Sequence, residues 1–246
     1  MPGFLVRPAQ VSDVSALAAL EQKIYGPLGT DIYDASYFST WLDVHPAGLI
    51  VAELDGRVVG YHYGQYIDFD DQAIATMTTY NEHTDNGYTR STHNPHGRDL
   101  HTVSLLSDAR GAGRAMTNYL FDHLKRHNKR SLLAASRIAG FDAYAKLIET
   151  QRGATLSKTE IMNVATWYCR ETARLIGGSI RANFPSYDGP PLPRLTQPDP
   201  ILGSYLRYDN GYALSALLAD WMKDPPSRYM GALVIYKNPH HTGSPI

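Results

Sequence analysis

The hydrophobic and polar positions of the chain change period several times, and each change marks an element. Phe4 to Arg7 has the residues of a short strand, which Pro8 closes. Ser12 is a suitable helix cap. Beyond it Val14, Leu17, Ala18, Glu21 and Ile24 fall at helical spacing, with Glu21 the polar exception in the stripe. Gly26-Pro27-Leu28-Gly29 breaks that helix, and Asp34 caps a second one bearing Phe38, Trp41 and Leu42, which stops near Pro46. Two β-branched runs, Gly48 to Leu54 and Arg57 to Tyr63, flank Asp55-Gly56, a strong hairpin signal.

The middle of the chain alternates strands with helices. Leu100 to Leu106 reads as a strand. It leads through Arg110-Gly111-Ala112-Gly113 into a helix carrying Met116, Leu120 and Leu124. An apolar strand, Ser131 to Ala135, turns at Ala139-Gly140 into a helix from about Asp142 to Ile148. Lys158 to Leu175 reads as one more helix, ended by Gly177-Gly178. Asn183 to Pro200 is proline-rich and reads as loop, and two final strands run from Tyr212 to Trp221 and from Gly231 to Tyr236. Asp68 to Arg98 is polar and rich in turn residues, the kind of long connection that often carries function. A hairpin followed by alternating strands and helices predicts a mixed α/β sheet in one domain spanning 1–246.

Composition narrows the partners. Basic and acidic side chains number 23 and 24, so nothing calls for a nucleic-acid partner. The single cysteine, Cys169, rules out an internal disulfide and sits in an apolar, helix-like stretch as a small buried hydrophobe. No stretch approaches the roughly 18 apolar residues of a membrane span, and Met1-Pro2-Gly3-Phe4 lacks the layout of a secretion signal. These features predict a cytoplasmic protein without a membrane partner.

The most informative unit is strand, then Arg110-Gly111-Ala112-Gly113-Arg114-Ala115, then helix. A helix N-terminus offers unpaired N–H groups and a partial positive charge, glycines allow close backbone approach, and two arginines add full charges. Together these form a phosphate cradle. The rival phosphate motifs fit poorly: no Gly-Lys-Ser/Thr occurs, and a dinucleotide fingerprint would need glycine where Met116 stands.

This hexapeptide and its place in the element order resemble the GNAT acyltransferase superfamily, whose signature is Arg/Gln-x-x-Gly-x-Gly/Ala between the fourth strand and the third helix. Every fixed position matches, and the architecture corresponds from about Phe4 to Ile148. Ser136 to Phe141, Asp199 to Leu202 and Gly231 to Tyr236 are similar to a subgroup: the GNAT-like domains that load polyketide synthases, and the GNAT domains fused to carbon–nitrogen hydrolases. The resemblance implies a mixed central sheet splayed at the motif strand, helices on both faces, and an elaborated C-terminal region. Residues of about 1–150 would bind acyl-CoA, and about 151–246 would complete the sheet and the acceptor side. The pyrophosphate of acetyl-CoA or another acyl-CoA would lie on the amides from Arg110 to Ala115. The pantetheine would pair with the strand edge at Val103, Ser104, Leu105 and Leu106. Attack on the thioester by an amine or thiol would be direct, without metal or protein nucleophile. The loading domains decarboxylate malonyl-type thioesters or pass acyl groups to a carrier-protein thiol, using a histidine and a threonine. Ser136 could take the threonine's place, whereas the histidine's place falls among Tyr205, Leu206 and Arg207. That departure disfavours decarboxylation and leaves acyl transfer, with an acyl carrier protein as one acceptor. A GNAT-fold module that binds acyl-CoA without turnover is a further alternative.

Four residues are candidates for proton transfer. The resemblance points to Tyr144, in the helix after the fifth strand, as general acid. His101 and His93 flank the start of the motif strand and are suited to proton transfer near neutral pH. Ser136 completes the set, with Glu82 and Asp85 as weaker alternatives. His83, His93, His96 and His101 lack the spacing of metal ligands, so no metal is expected. No Gly-x-Ser-x-Gly elbow accompanies Ser104 or Ser107 as a nucleophile.

Overall fold

The computed structural model describes residues 3–28, 32–70, 79–207 and 210–243. The described residues of 3–70, 80–132 and 238–243 form one compact unit, and those of 133–237 form a second. The boundary between the two units falls within the strand that follows the motif helix.

The first unit holds strands β1 (Leu5–Pro8), β2 (Leu49–Leu54), β3 (Arg57–Ile67) and β4 (Asp99–Ser107) in that spatial order, each antiparallel to its neighbour. Helices α1 (Val14–Tyr25) and α2 (Ala35–Val44) cover one face, and α4 (Ala112–Arg126) covers the other; α3 (Tyr80–Thr84) is a single short turn. Alternation along β3 assigns the faces. Tyr61 and Tyr63 join Leu17, Phe38 and Trp41 in the α1/α2 core, while His62, Gly64 and Tyr66 point toward α4. Trp41 stacks on Tyr63 with ring centroids 4.3 Å apart and donates its indole N–H to the Gly87 carbonyl at 2.7 Å. Complete burial of such side chains stabilises the unit by about 1.5–3 kcal/mol each. The long polar connection is fastened to this core: the Tyr63 and Thr89 hydroxyls are 2.7 Å apart.

A bulge interrupts β4. Tyr63 pairs with Ser104 and Gly64 with Thr102, which leaves Val103 as an extra residue. Had Val103 paired in register, without a bulge, Thr102 and Ser104 would share a face. With it the Thr102 hydroxyl reaches His62 at 3.0 Å and the Ser104 hydroxyl reaches Tyr61 at 2.8 Å, on opposite faces of the sheet.

The second unit orders its strands as β5 (Ser131–Arg137), β8 (Gly231–Lys237), β7 (Tyr212–Leu218) and β6 (Ser179–Ile180). β7 runs antiparallel to β8 and parallel to β6, so the architecture is mixed. Helices α6 (Lys158–Ile176) and α7 (Pro200–Leu206) pack with these strands, and α5 (Phe141–Arg152) packs on α6. A capping box between Ser157 and Glu160 starts α6. The proline-rich run ends in a helix rather than continuing as loop. The Asp199 carboxylate accepts from the amides of Ile201 and Leu202, at 3.0 Å each, and starts α7 with Pro200 as its first residue. The predicted strand from Tyr212 to Trp221 stops at Leu218, and Pro225–Ser227 is a 3-10 turn. No described helix is long and apolar enough to cross a membrane.

Candidate functional site

The turn between β4 and α4 has the geometry of an anion cradle. Gly111 caps the helix at φ 97°, ψ −15°, a left-handed conformation that L side chains rarely adopt. The Ala112 amide is taken by the Ala109 carbonyl at 3.1 Å, whereas among the described residues the amides of Arg110, Gly111 and Gly113 reach no carbonyl. Arg110, Gly111 and Arg114 are exposed, and Ala112 is buried beneath them. A side chain added at Gly111 would place its Cβ 3.3 Å from the Phe4 ring. Backbone donors, the positive end of a 15-residue helix and two arginines therefore converge on an open surface.

The strand leading to this turn carries a chain of hydroxyls on its α1/α2 face. Ser104, half-buried, hydrogen-bonds Tyr61, and the Tyr61 hydroxyl donates to Glu21 of α1. Glu21 is 1% exposed, and its second oxygen accepts from the Tyr33 amide at 3.3 Å. Burial raises the Glu21 carboxyl above the usual carboxylate range, opposed by the bonds from Tyr61 and Tyr33. Tyr33 also hydrogen-bonds Tyr80, whose hydroxyl donates to the Val103 carbonyl at 3.0 Å. Of the predicted strand-edge set, Val103 and Leu106 face the core, Ser104 holds this hydroxyl chain, and Leu105 is half-buried.

His101 and His93 lie on opposite faces. His101 sits in β4 beside Gln65, 1% exposed, and burial pushes its pKa down to about 3. His93 is half-buried on the α4 side. Its ring stacks on His45 at 4.5 Å, its Nδ1 accepts from the Tyr66 amide at 3.1 Å, and burial lowers its pKa. The same side gathers His123, which hydrogen-bonds the Tyr66 hydroxyl at 2.6 Å, and Lys129, whose ammonium lies 3.6 Å from the Tyr66 ring centroid. Among the described residues no group of three or more His, Cys, Asp or Glu could hold a metal.

Tyr144 and Ser136 belong to the second unit. Tyr144 is 6% exposed, its hydroxyl donates to the Pro193 carbonyl at 2.6 Å, and burial pushes its pKa up to about 12. Ser136 is buried, and its hydroxyl donates to the adjacent Arg137 carbonyl at 2.8 Å. Asp199, besides capping α7, accepts from the Gly140 amide and the Tyr168 hydroxyl at 2.9 Å each, and so fixes the start of α5. Cys169 is buried, and desolvation raises its thiol well above the usual value, so the thiol form dominates. Sequence reasoning missed Tyr61, Tyr80 and the role of Glu21. The available signal was Glu21 itself, a carboxylate on the apolar stripe of a helix.

No family profile matches the chain. A curated relative, "Probable hydrolase YhcX" of Bacillus subtilis (strain 168), is 22% identical over 147 residues. That match covers 58% of this chain and only 28% of the relative's length. Two solved structures match nearly end to end. The GphF GNAT-like decarboxylase, solved with isobutyryl-CoA, superposes with a TM-score of 0.64 at 20% identity, covering 95% of this chain and 98% of that one. The loading GNATL domain of CurA from Lyngbya majuscula gives 0.63 at 16% identity, covering 97% and 99%. The mixed α/β chain, with its four antiparallel strands and mixed second group, thus has the GNAT fold.

Proposed function

We propose that this protein is an acyltransferase. It binds acetyl-CoA or another short acyl-CoA at the β4–α4 turn and passes the acyl group to an amine or thiol by direct attack. The observation that carries this reading is the set of amides at Arg110, Gly111 and Gly113 that reach no carbonyl among the described residues, with Arg110 and Gly111 exposed beside Arg114 at the start of α4. Such a surface suits a diphosphate, whose oxygens accept from backbone N–H groups and pair with guanidinium. The coenzyme would supply the activated thioester. The chain would supply grip, orientation and removal of the nucleophile's proton.

A second reading has its own support, since the two matching structures are a decarboxylase and a loading domain. On that reading the chain acts on malonyl-type thioesters or delivers the acyl group to an acyl carrier protein. Tyr205, Leu206 and Arg207, where that subgroup's histidine would fall, favour transfer over loss of carboxylate. A binding module without turnover is the third reading.

Titration with CoA followed by calorimetry tests the common core. Arg110→Ala combined with Arg114→Ala is expected to weaken binding by about 100-fold, the loss of two charge-assisted contacts. Unchanged affinity in the double variant would refute the assignment of the turn. Incubation with acetyl-CoA and malonyl-CoA, with amines or a carrier protein, separates the readings by product: acylated amine, acylated carrier, or released carbon dioxide.

A further inference from the structure

Glu21 is a buried carboxylate that lacks a cationic partner. Among the described residues neither Lys nor Arg pairs with it, and the adjacent Lys23 instead binds Asp108 at 2.6 Å. Among the described residues the titratable groups that meet it are tyrosines: Tyr33 ahead of α2, Tyr61 on β3 and Tyr80 on α3, with Tyr25 of its own helix near Tyr61 and Tyr80. An acid held this way costs stability when ionised and is expected only where the ionised form has a use. Its Oε1 accepts from Tyr61. With the Tyr61 proton so engaged, the Tyr61 oxygen is left to accept from Ser104. The donors thus point one way: Ser104 to Tyr61 to Glu21. The inner end is sealed, with Glu21 and Tyr61 at 1% and 0% exposure, and the outer end, Ser104, is half-buried on the strand before the arginine turn.

We propose that Glu21 is the terminal acceptor for the proton released by the attacking nucleophile, reached through Tyr61 and Ser104. This inference rests on the acyl-CoA reading, in which the thioester lies along β4. As the nucleophile's lone pair forms a bond to the thioester carbonyl carbon, its N–H or S–H proton passes to the Ser104 oxygen. The Ser104 proton moves to Tyr61, the Tyr61 proton moves to Glu21, and the two hydroxyls end as they began. Collapse of the tetrahedral adduct breaks the C–S bond, the electron pair leaves on sulfur, and the thiolate takes a proton from water. Glu21 then returns its proton outward along the same line. Tyr61 and Glu21 touch no substrate; they act through Ser104.

The test uses the full chain with acetyl-CoA and a panel of primary amines plus N-acetylcysteamine, with products read by mass spectrometry and CoA affinity by calorimetry. In the wild type, product formation is expected to rise with pH as Glu21 ionises. Glu21→Gln and Tyr61→Phe should each slow it by about 100-fold, within the usual range for general-base loss, and abolish that rise. CoA affinity should stay unchanged. Ser104→Ala should behave likewise, while Ser104→Thr, which keeps the hydroxyl, should retain the rate. If Glu21→Gln does not fold, Tyr61→Phe and the Ser104 pair still decide the matter. Wild-type rate and pH profile in these variants would overturn the relay while leaving the acyl-CoA reading intact. A wild type that binds CoA yet acylates none of the probes also overturns the relay. A wild type that fails to bind CoA overturns the acyl-CoA reading itself, and the relay falls with it.

Discussion

At the scale of single residues, backbone shape and buried charge carry the functional content. Gly111 holds φ 97° at the cap of α4. Alanine there would adopt a left-handed conformation at a cost of roughly 1–2 kcal/mol and press on the Phe4 ring. Gly111→Ala is therefore expected to lower the unfolding free energy by about that amount and to weaken CoA binding, as measured by denaturant titration and calorimetry. Glu21 makes the opposite stability prediction. Its pKa is raised by the fold, so its contribution is complete below the usual carboxylate range and is lost as pH rises through the folded value. Glu21→Gln should consequently melt no lower than wild type at pH 8. The glycine-bearing turn into α4 was legible because glycine and arginine at a strand–helix junction are a strong local signal. The Glu21 chain was half legible: the polar member of an apolar stripe is visible in sequence, but its partners come from β3 and β4 and appear only once the sheet is folded.

At the scale of elements, local signals read correctly where a cap or period was strong. The hairpin around Asp55-Gly56, the motif strand and helix, and the capped α6 stand where the pattern put them. α7 escaped because its seven residues follow a proline-rich run. Its cap, Asp199 with Pro200, gains force only through the buried contacts to Tyr168 and Gly140. The second unit is further fastened by Arg228, itself at φ 49°. Its guanidinium holds Glu149 of α5 at 2.8 and 3.0 Å and Asp142 at 2.9 Å. Hydrogen bonds from Arg228 lead the causes that pull the Glu149 pKa down to about 2. Arg228→Ala should cost about 1.5–3 kcal/mol at neutral pH, as expected for hydrogen bonds to a charged group. The penalty should be full above pH 4.5, the ordinary glutamate value, and fade as pH falls from there toward 2. Thermal melts of wild type and variant across that range check it.

At the scale of the whole molecule, the first unit concentrates histidines that the fold keeps neutral. Burial lowers His45 to about 4 and His62, His101 and His123 to about 3, against an ordinary 6.5. Each binds a proton more readily in the unfolded chain. Their stabilising contribution is therefore present above pH 6.5 and is lost progressively as pH falls toward 4. The melting temperature should drop across that window, and hydrogen exchange should show residues 3–70 and 80–132 opening before 133–237. Of these four histidines the sequence offered only His101 as a candidate, beside His93. Only the alternation of β3, the bulge of β4 and the placement of α4 gather His45, His62 and His123 on the α4 side with His93 and set His101 on the other face.

The extra residue at Val103 has a consequence for how this strand can evolve or be engineered. Deleting that one position would join Thr102 directly to Ser104, and strict two-residue alternation would then keep the two hydroxyls on the opposite faces they occupy now. The arginine turn would keep its composition and Ser104 its line to the acid in α1, while Tyr80 would lose the Val103 carbonyl to which it donates. A shortened chain that still turns over would mark the extra residue as dispensable to the hydroxyl line.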